Sequence, residues 1–123
     1  MRILTHKELK VYKTAFELAL YIHKLTVFFP VEEKYSLTDQ IRRSSRSVAA
    51  NIAEAFYKRR YPKLFVSKLL DCEGEAAETL VWLSFANSFG YLDDNESSEL
   101  DIKYSYLQSQ IFCMIQSPDK WSV

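Results

Sequence analysis

Apolar residues recur at intervals of three and four along most of the chain, the period of a helix with one buried face. Turn signals cut this pattern into four stretches. In the first, Leu9, Tyr12, Phe16, Ala19 and His23 share one side, and Leu18, Ile22, Leu25 and Phe29 widen the stripe. Thr5 and Glu8 stand at capping-box spacing ahead of it, and Pro30 ends it, because the residue before a proline avoids helical geometry. We expect this helix over roughly residues 6–29. A second helix, over roughly 37–58, opens at Ser36 with Asp39 as its box partner. A third, over roughly 62–89, starts on Pro62, whose missing amide proton is not needed in a first turn, and carries Phe65, Leu69, Cys72, Ala76, Leu80 and Leu83. Gly90 is its stop. The fourth, over roughly 94–116, opens at Asp93 with Glu96 as box partner; Leu100, Tyr104, Leu107, Ile111 and Met114 form its stripe until Pro118.

Four apolar faces joined by short connections predict one domain over residues 1–123, an all-α, antiparallel up-down four-helix bundle. Composition narrows the choice in the same direction. Only two glycines and three prolines leave few turns for a sandwich or barrel, and a chain that is 48% hydrophobic and 15% aromatic is not disordered. Cys72 and Cys113 belong to no paired motif and read as reduced, buried thiols. The N-terminal MRILTHKELK lacks the apolar core of a signal peptide, and FELALYIHKLTVFF is interrupted by His23 and Lys24 and too short to cross a bilayer. We expect a soluble, cytoplasmic protein with no membrane partner.

The second helix needs more than one face. On a wheel, Leu37, Ile41, Val48, Ile52, Ala55 and Phe56 form a core side flanked by Ser44 and Ser45. Ala49, Ala50 and Ala53 form a second side, with Arg42, Arg46 and Tyr57 among them. Small residues let another backbone come close, so this side is expected to be a subunit contact. Arg43, Ser47, Asn51 and Glu54, at steps of four, four and three, form a polar edge expected to be a hydrogen-bonded seam at that contact.

Charge adds a further division. Residues 1–70 hold 14 Lys and Arg against 6 Asp and Glu, a surplus of +8; residues 71–123 hold 2 against 10, a deficit of −8. The two halves either neutralise each other or leave a basic surface for phosphates. The densest basic stretch is Lys58, Arg59, Arg60 and Lys63, with Tyr57 and Tyr61 interleaved, a composition suited to phosphates and unpaired bases as well as to a solvated turn. Catalytic signatures are missing. There is no glycine-rich phosphate loop and no Glu-x-x-His pair, and Ser44, Ser45 and Ser47 have no histidine base nearby. Asp71, Glu75 and Glu78 share a helix face and read as salt-bridged rather than metal-binding, and His23 as a satisfied core or interface histidine. We expect no enzyme, no catalytic residue, no cofactor and no metal.

The stretch Q-I-R-R-x-x-x-S-V-x-x-N-I-A-E (Gln40 to Glu54) resembles the signature of the four-helix-bundle proteins encoded by intervening sequences in 23S ribosomal RNA genes. L-K-V-Y-K-x-A-F-E-L-A (Leu9 to Ala19), Phe29–Pro30, L-T-D-Q, E-G-E-A-A-E and Gly90 to Leu92 are similar to other parts of that family. The resemblance implies an antiparallel bundle without established catalytic activity that assembles as a homopentamer. It extends to the accessory variability determinant proteins of diversity-generating retroelements, which implies nucleic acid and a reverse transcriptase as partners. By position, Gln40, Arg43, Ser47, Ala50, Asn51, Ala53 and Glu54 are motif or interface residues. The chain departs from the pattern at Ala55, where glycine is usual, and in its net charge of zero. Two functions follow as expectations. One is an oligomer binding nucleic acid, RNA above DNA, through Arg42, Arg43, Arg46, Lys58, Arg59, Arg60 and Lys63. The other is a protein–protein assembly or scaffold module that binds none.

Overall fold

The computed structural model describes residues 3–121. Four helices account for most of them: α1 (Lys10–Thr26), α2 (Leu37–Tyr57), α3 (Pro62–Ser88) and α4 (Asp94–Gln116). Short 3-10 turns at His6–Glu8, Val31–Glu33 and Pro118–Lys120 flank them, and no strand occurs among the described residues. Each helix packs on the next, and α1 also touches α4, which closes the bundle. Ion pairs fix the antiparallel sense of α2 and α3: Arg43 early in α2 meets Glu78 late in α3, and Glu54 late in α2 meets Lys68 early in α3.

The core is one layer of side chains drawn from all four helices, with Ile22, Ile41, Ile52, Phe56, Phe65, Leu69, Leu83 and Leu107 fully buried. In α4 all five residues of the expected stripe are buried. In α2 the core side is buried as expected, and Ser44 and Ser45 are buried with it. Thr79 Oγ1 lies 2.8 Å from Ser44 Oγ and 2.9 Å from the Glu75 carbonyl, so the buried hydroxyls are paired. Thr79 is buried in α3, while Leu80 is only half-buried.

The first helix departs from its expected register. Its buried side is Val11, Ala15, Leu18, Ile22 and Thr26, whereas Phe16 and His23 are exposed and Tyr12 and Ala19 half-buried. The helix carries two apolar stripes, and periodicity alone does not say which enters a core. Of the expected positions Leu9, Leu18, Ile22 and Phe29 enter the core, while Phe16 and His23 stay outside.

Helix ends also differ from expectation in instructive ways. Residues 6–8 form a 3-10 turn, and extended Leu9 separates it from α1. The Glu8 carboxylate accepts from the amides of Leu4 (2.7 Å) and Thr5 (3.2 Å), which hold its pKa below the usual value. Ser36 makes no side-chain cap; Glu33 supplies it instead, accepting from Leu37 N–H at 3.3 Å and from the Tyr91 hydroxyl at 2.9 Å. This one carboxylate ties the α1–α2 connection to the α3–α4 connection. Gly90 adopts φ +82°, and the bonds from Tyr91 N–H to the Ala86 carbonyl and from Gly90 N–H to the Asn87 carbonyl form a Schellman cap. Asp93 accepts from Glu96 N–H at 2.7 Å. Glu96 does not reach back; it accepts from the Tyr21 hydroxyl at 2.7 Å, which pushes that phenol's pKa up to about 12 and joins α1 to α4. Cys72 is buried and its pKa is pushed up to about 12 by desolvation; Cys113, expected to be buried, is exposed because it lies on the outer side of α4.

The Tyr104 ring is fully buried, and its hydroxyl has no hydrogen-bond partner among the described residues. An unpaired buried hydroxyl costs about 1–3 kcal/mol. Tyr104→Phe is therefore expected to leave the thermal midpoint unchanged or raise it. A fall in calorimetry equivalent to more than about 1 kcal/mol would show that the hydroxyl is paired.

Candidate nucleic-acid and assembly surfaces

Three features of α2 place the candidate residues: its polar edge, its alanine side and its C-terminal corner. The polar edge faces α3 of the same chain. Arg43 donates to Glu75 (3.1 Å) and Glu78 (2.7 Å), and these bonds raise its pKa further. Lys68 bridges Glu54 (2.8 Å), Asn51 (3.3 Å) and Asp71 (3.7 Å). Glu54 is held below the usual carboxylate range, chiefly by the Lys68 hydrogen bond, and Lys68 is raised by the same contact. Arg43, Asn51 and Glu54 thus form an intrachain seam between α2 and α3. Its other half is Lys68, Glu75 and Glu78; the two glutamates are salt-bridged as their shared face implies, whereas Lys68 carries no sequence signal because cross-helix partners have no fixed spacing. Ser47 is half-buried beside that seam, and Gln40 is exposed in the first turn.

The alanine side receives α1. Ala49 is 7% exposed beneath it, Ala53 half-buried and Ala50 exposed. Between the two helices runs an apolar groove of about 510 Å³. Tyr12, Phe16 and Leu20 of α1 form one wall, and the three alanines form the floor and the other wall. These α1 residues are the stripe that the core rejected, and their surplus over one apolar face was the signal in the sequence. His23 and Arg46 close one end, with Arg46 Nη2 at 3.1 Å from His23 Nδ1. Arg42 donates to Thr26 Oγ1 (2.7 Å) and the His23 carbonyl (3.4 Å), at the carbonyl end of α1 where a cation is favoured. None of these partners is a carboxylate, so the charge of Arg42 and Arg46 is not offset by them, whereas that of Arg43 is offset by two glutamates. Arg42, Arg43 and Arg46 also line a shallow recess of about 480 Å³ with Asp39, Ser47 and Ala50.

The third feature is the turn from α2 to α3. Arg59 folds back, its guanidinium 3.9 Å from the Phe56 ring centre and donating to the Phe56 carbonyl at 2.9 Å. Arg60 and Lys63 are exposed and Lys58 half-buried, and none of the three forms an ion pair among the described residues. At this end His6 packs edge-on against Tyr12 and Tyr57, with Nδ1 3.1 Å from the Tyr57 hydroxyl. Among the described residues no cluster of His, Cys, Asp and Glu is arranged to hold a metal, and no helix is long and apolar enough to cross a membrane.

These features define a closed four-helix bundle with a lateral apolar groove between α1 and α2, a class set by helix packing. The chain belongs to the 23S rRNA-intervening sequence protein family, which matches it over residues 7–112. It is similar to a solved structure from Bacteroides thetaiotaomicron VPI-5482, a protein with unknown function from the S23 ribosomal protein family. The TM-score is 0.78 and the identity 27%, covering 86% of this chain and 95% of the other. No curated protein sequence matches. Neither the family description nor the neighbour's description assigns an enzymatic activity.

The Glu54–Lys68 contact has a defined pH signature. Because the folded-state pKa of Glu54 lies below its ordinary 4.5, the stabilisation is present above that value and is lost as pH falls through the folded pKa. Glu54→Gln is therefore expected to lower the thermal midpoint at pH 7, with the gap to the parent narrowing as pH falls below 4.5. A gap that does not narrow as the pH is lowered would assign the loss to packing rather than to the ion pair.

Proposed function

We propose that this protein is a non-enzymatic, cytoplasmic oligomer that binds nucleic acid, RNA above DNA, through the basic surface of its first two helices. The observation that carries the reading is the α2–α3 corner, where Arg60 and Lys63 are exposed without an ion pair, Lys58 is half-buried near Glu54, and Arg59 keeps its charge on an aromatic ring. Arg42 and Arg46 add uncancelled positive charge, while Arg43 contributes least because Glu75 and Glu78 offset it. The apolar groove supports the oligomer: Phe16 and Leu20 are 46% and 50% exposed, an apolar surface suited to a partner. The ring of five implied by the family resemblance is the assembly proposed. It would present one corner per subunit, so modest contacts add. A reverse transcriptase is the protein partner that the same resemblance suggests. Exposed, unpaired Cys113 fits a reducing compartment.

A second reading, an assembly module without nucleic-acid binding, is favoured by one observation. Arg42, Arg43, Arg46 and Arg59 all hydrogen-bond within the chain. Binding to a structured RNA hairpin across salt concentrations separates the two. The proposed function predicts a log–log slope of about −0.7 to −0.9 per phosphate contacted, shallower by about 1.5 when Arg60 and Lys63 are both changed to Gln. Absence of binding, or a flat salt response, would leave only the assembly reading.

A further inference from the structure

The corner after α2 carries aromatic surface as well as charge. Tyr57 and Tyr61 flank Lys58, Arg59 and Arg60, and their side chains are 58% and 59% exposed. The Tyr57 hydroxyl lies 3.1 Å from His6 Nδ1, and the residue is more than half exposed. The Phe56 and His6 rings hold it at centroid distances of 5.0 and 5.6 Å, close to perpendicular. The turn beneath is braced by the bond from Tyr61 N–H to the Lys58 carbonyl (2.9 Å) and by Arg59 on Phe56. The turn backbone and the Tyr57 ring are therefore held before any ligand arrives, which reduces part of the ordering cost of binding.

Building on the nucleic-acid reading above, we propose that this corner is a single-strand site. Unpaired RNA bases stack on Tyr57 and Tyr61, and Lys58, Arg60 and Lys63 hold the phosphates on either side. Aromatic rings accept any base face, but only where the strand does not already stack that face within a duplex. A duplex offers this corner phosphates alone.

Fluorescence anisotropy on the full chain tests the proposal with two labelled probes, an unstructured RNA of about 12 nucleotides and a blunt RNA duplex of the same length. The unstructured strand is expected to bind several-fold more tightly. Tyr61→Ala is expected to weaken it roughly 5- to 100-fold and leave duplex binding unchanged, whereas Tyr61→Phe retains the affinity. Tyr61 makes no side-chain hydrogen bond among the described residues, so its replacement does not put the fold at risk. Tyr57→Phe, which keeps the ring, serves as the milder test at the other position. Equal affinity for the two probes with no effect of Tyr61→Ala would overturn the stacking site and leave the phosphate-binding reading standing. No binding of either probe by the unaltered protein would overturn both.

Discussion

The fold depends on α2 being shared among three partners at once. One side enters the core, a second takes α1 against its alanines, and a third is stitched to α3 by Arg43, Asn51 and Glu54. Each demand fixes a residue type. Close approach of α1 requires Ala49 rather than a branched side chain, and buried Ser44 is tolerated because Thr79 pairs with it. Ala55, where the family favours glycine, is fully buried within a helix that continues unbroken to Tyr57. Arg42 extends the same economy, covering the carbonyl end of α1 from the neighbouring helix.

The charge asymmetry is partly resolved by this arrangement. Arg43 meets Glu75 and Glu78, and Lys68 meets Glu54 and Asp71, so much of the acidic face of α3 is neutralised inside one chain. Basic residues without an ion pair include a cluster at the far end of α2, and one exposed apolar surface lies in the α1–α2 groove. The two meet around Tyr12, whose ring lines the groove and packs against His6, which in turn contacts Tyr57. Assembly and ligand binding would therefore share a boundary.

Local signals were legible in the sequence because they act over three or four residues. Gly90, Pro62, the Asp93 cap and the α4 stripe stand where they were read. Signals spanning two elements were less so. The α2 cap comes from Glu33 in the preceding turn rather than from Ser36, and the choice between the two stripes of α1 depends on which one the other helices cover. The polar edge of α2 was found as a row, but its partners, with Lys68 foremost, lie across a helix interface. The wheel already sets Arg43 on the polar edge apart from the basic corner at residues 58–63; the contacts add that the charge of Arg43 is offset whereas Arg60 and Lys63 are exposed.

The central claim is that the α1–α2 groove is a packing surface covered by another copy of the chain. Sedimentation velocity on the unaltered protein and on Ala50→Glu measures this directly, since Ala50 lies exposed in the groove wall. The account predicts a species several times the 14.4 kDa chain mass for the unaltered protein and a helical monomer for the variant. An unaltered protein that sediments as a 14.4 kDa monomer would contradict it.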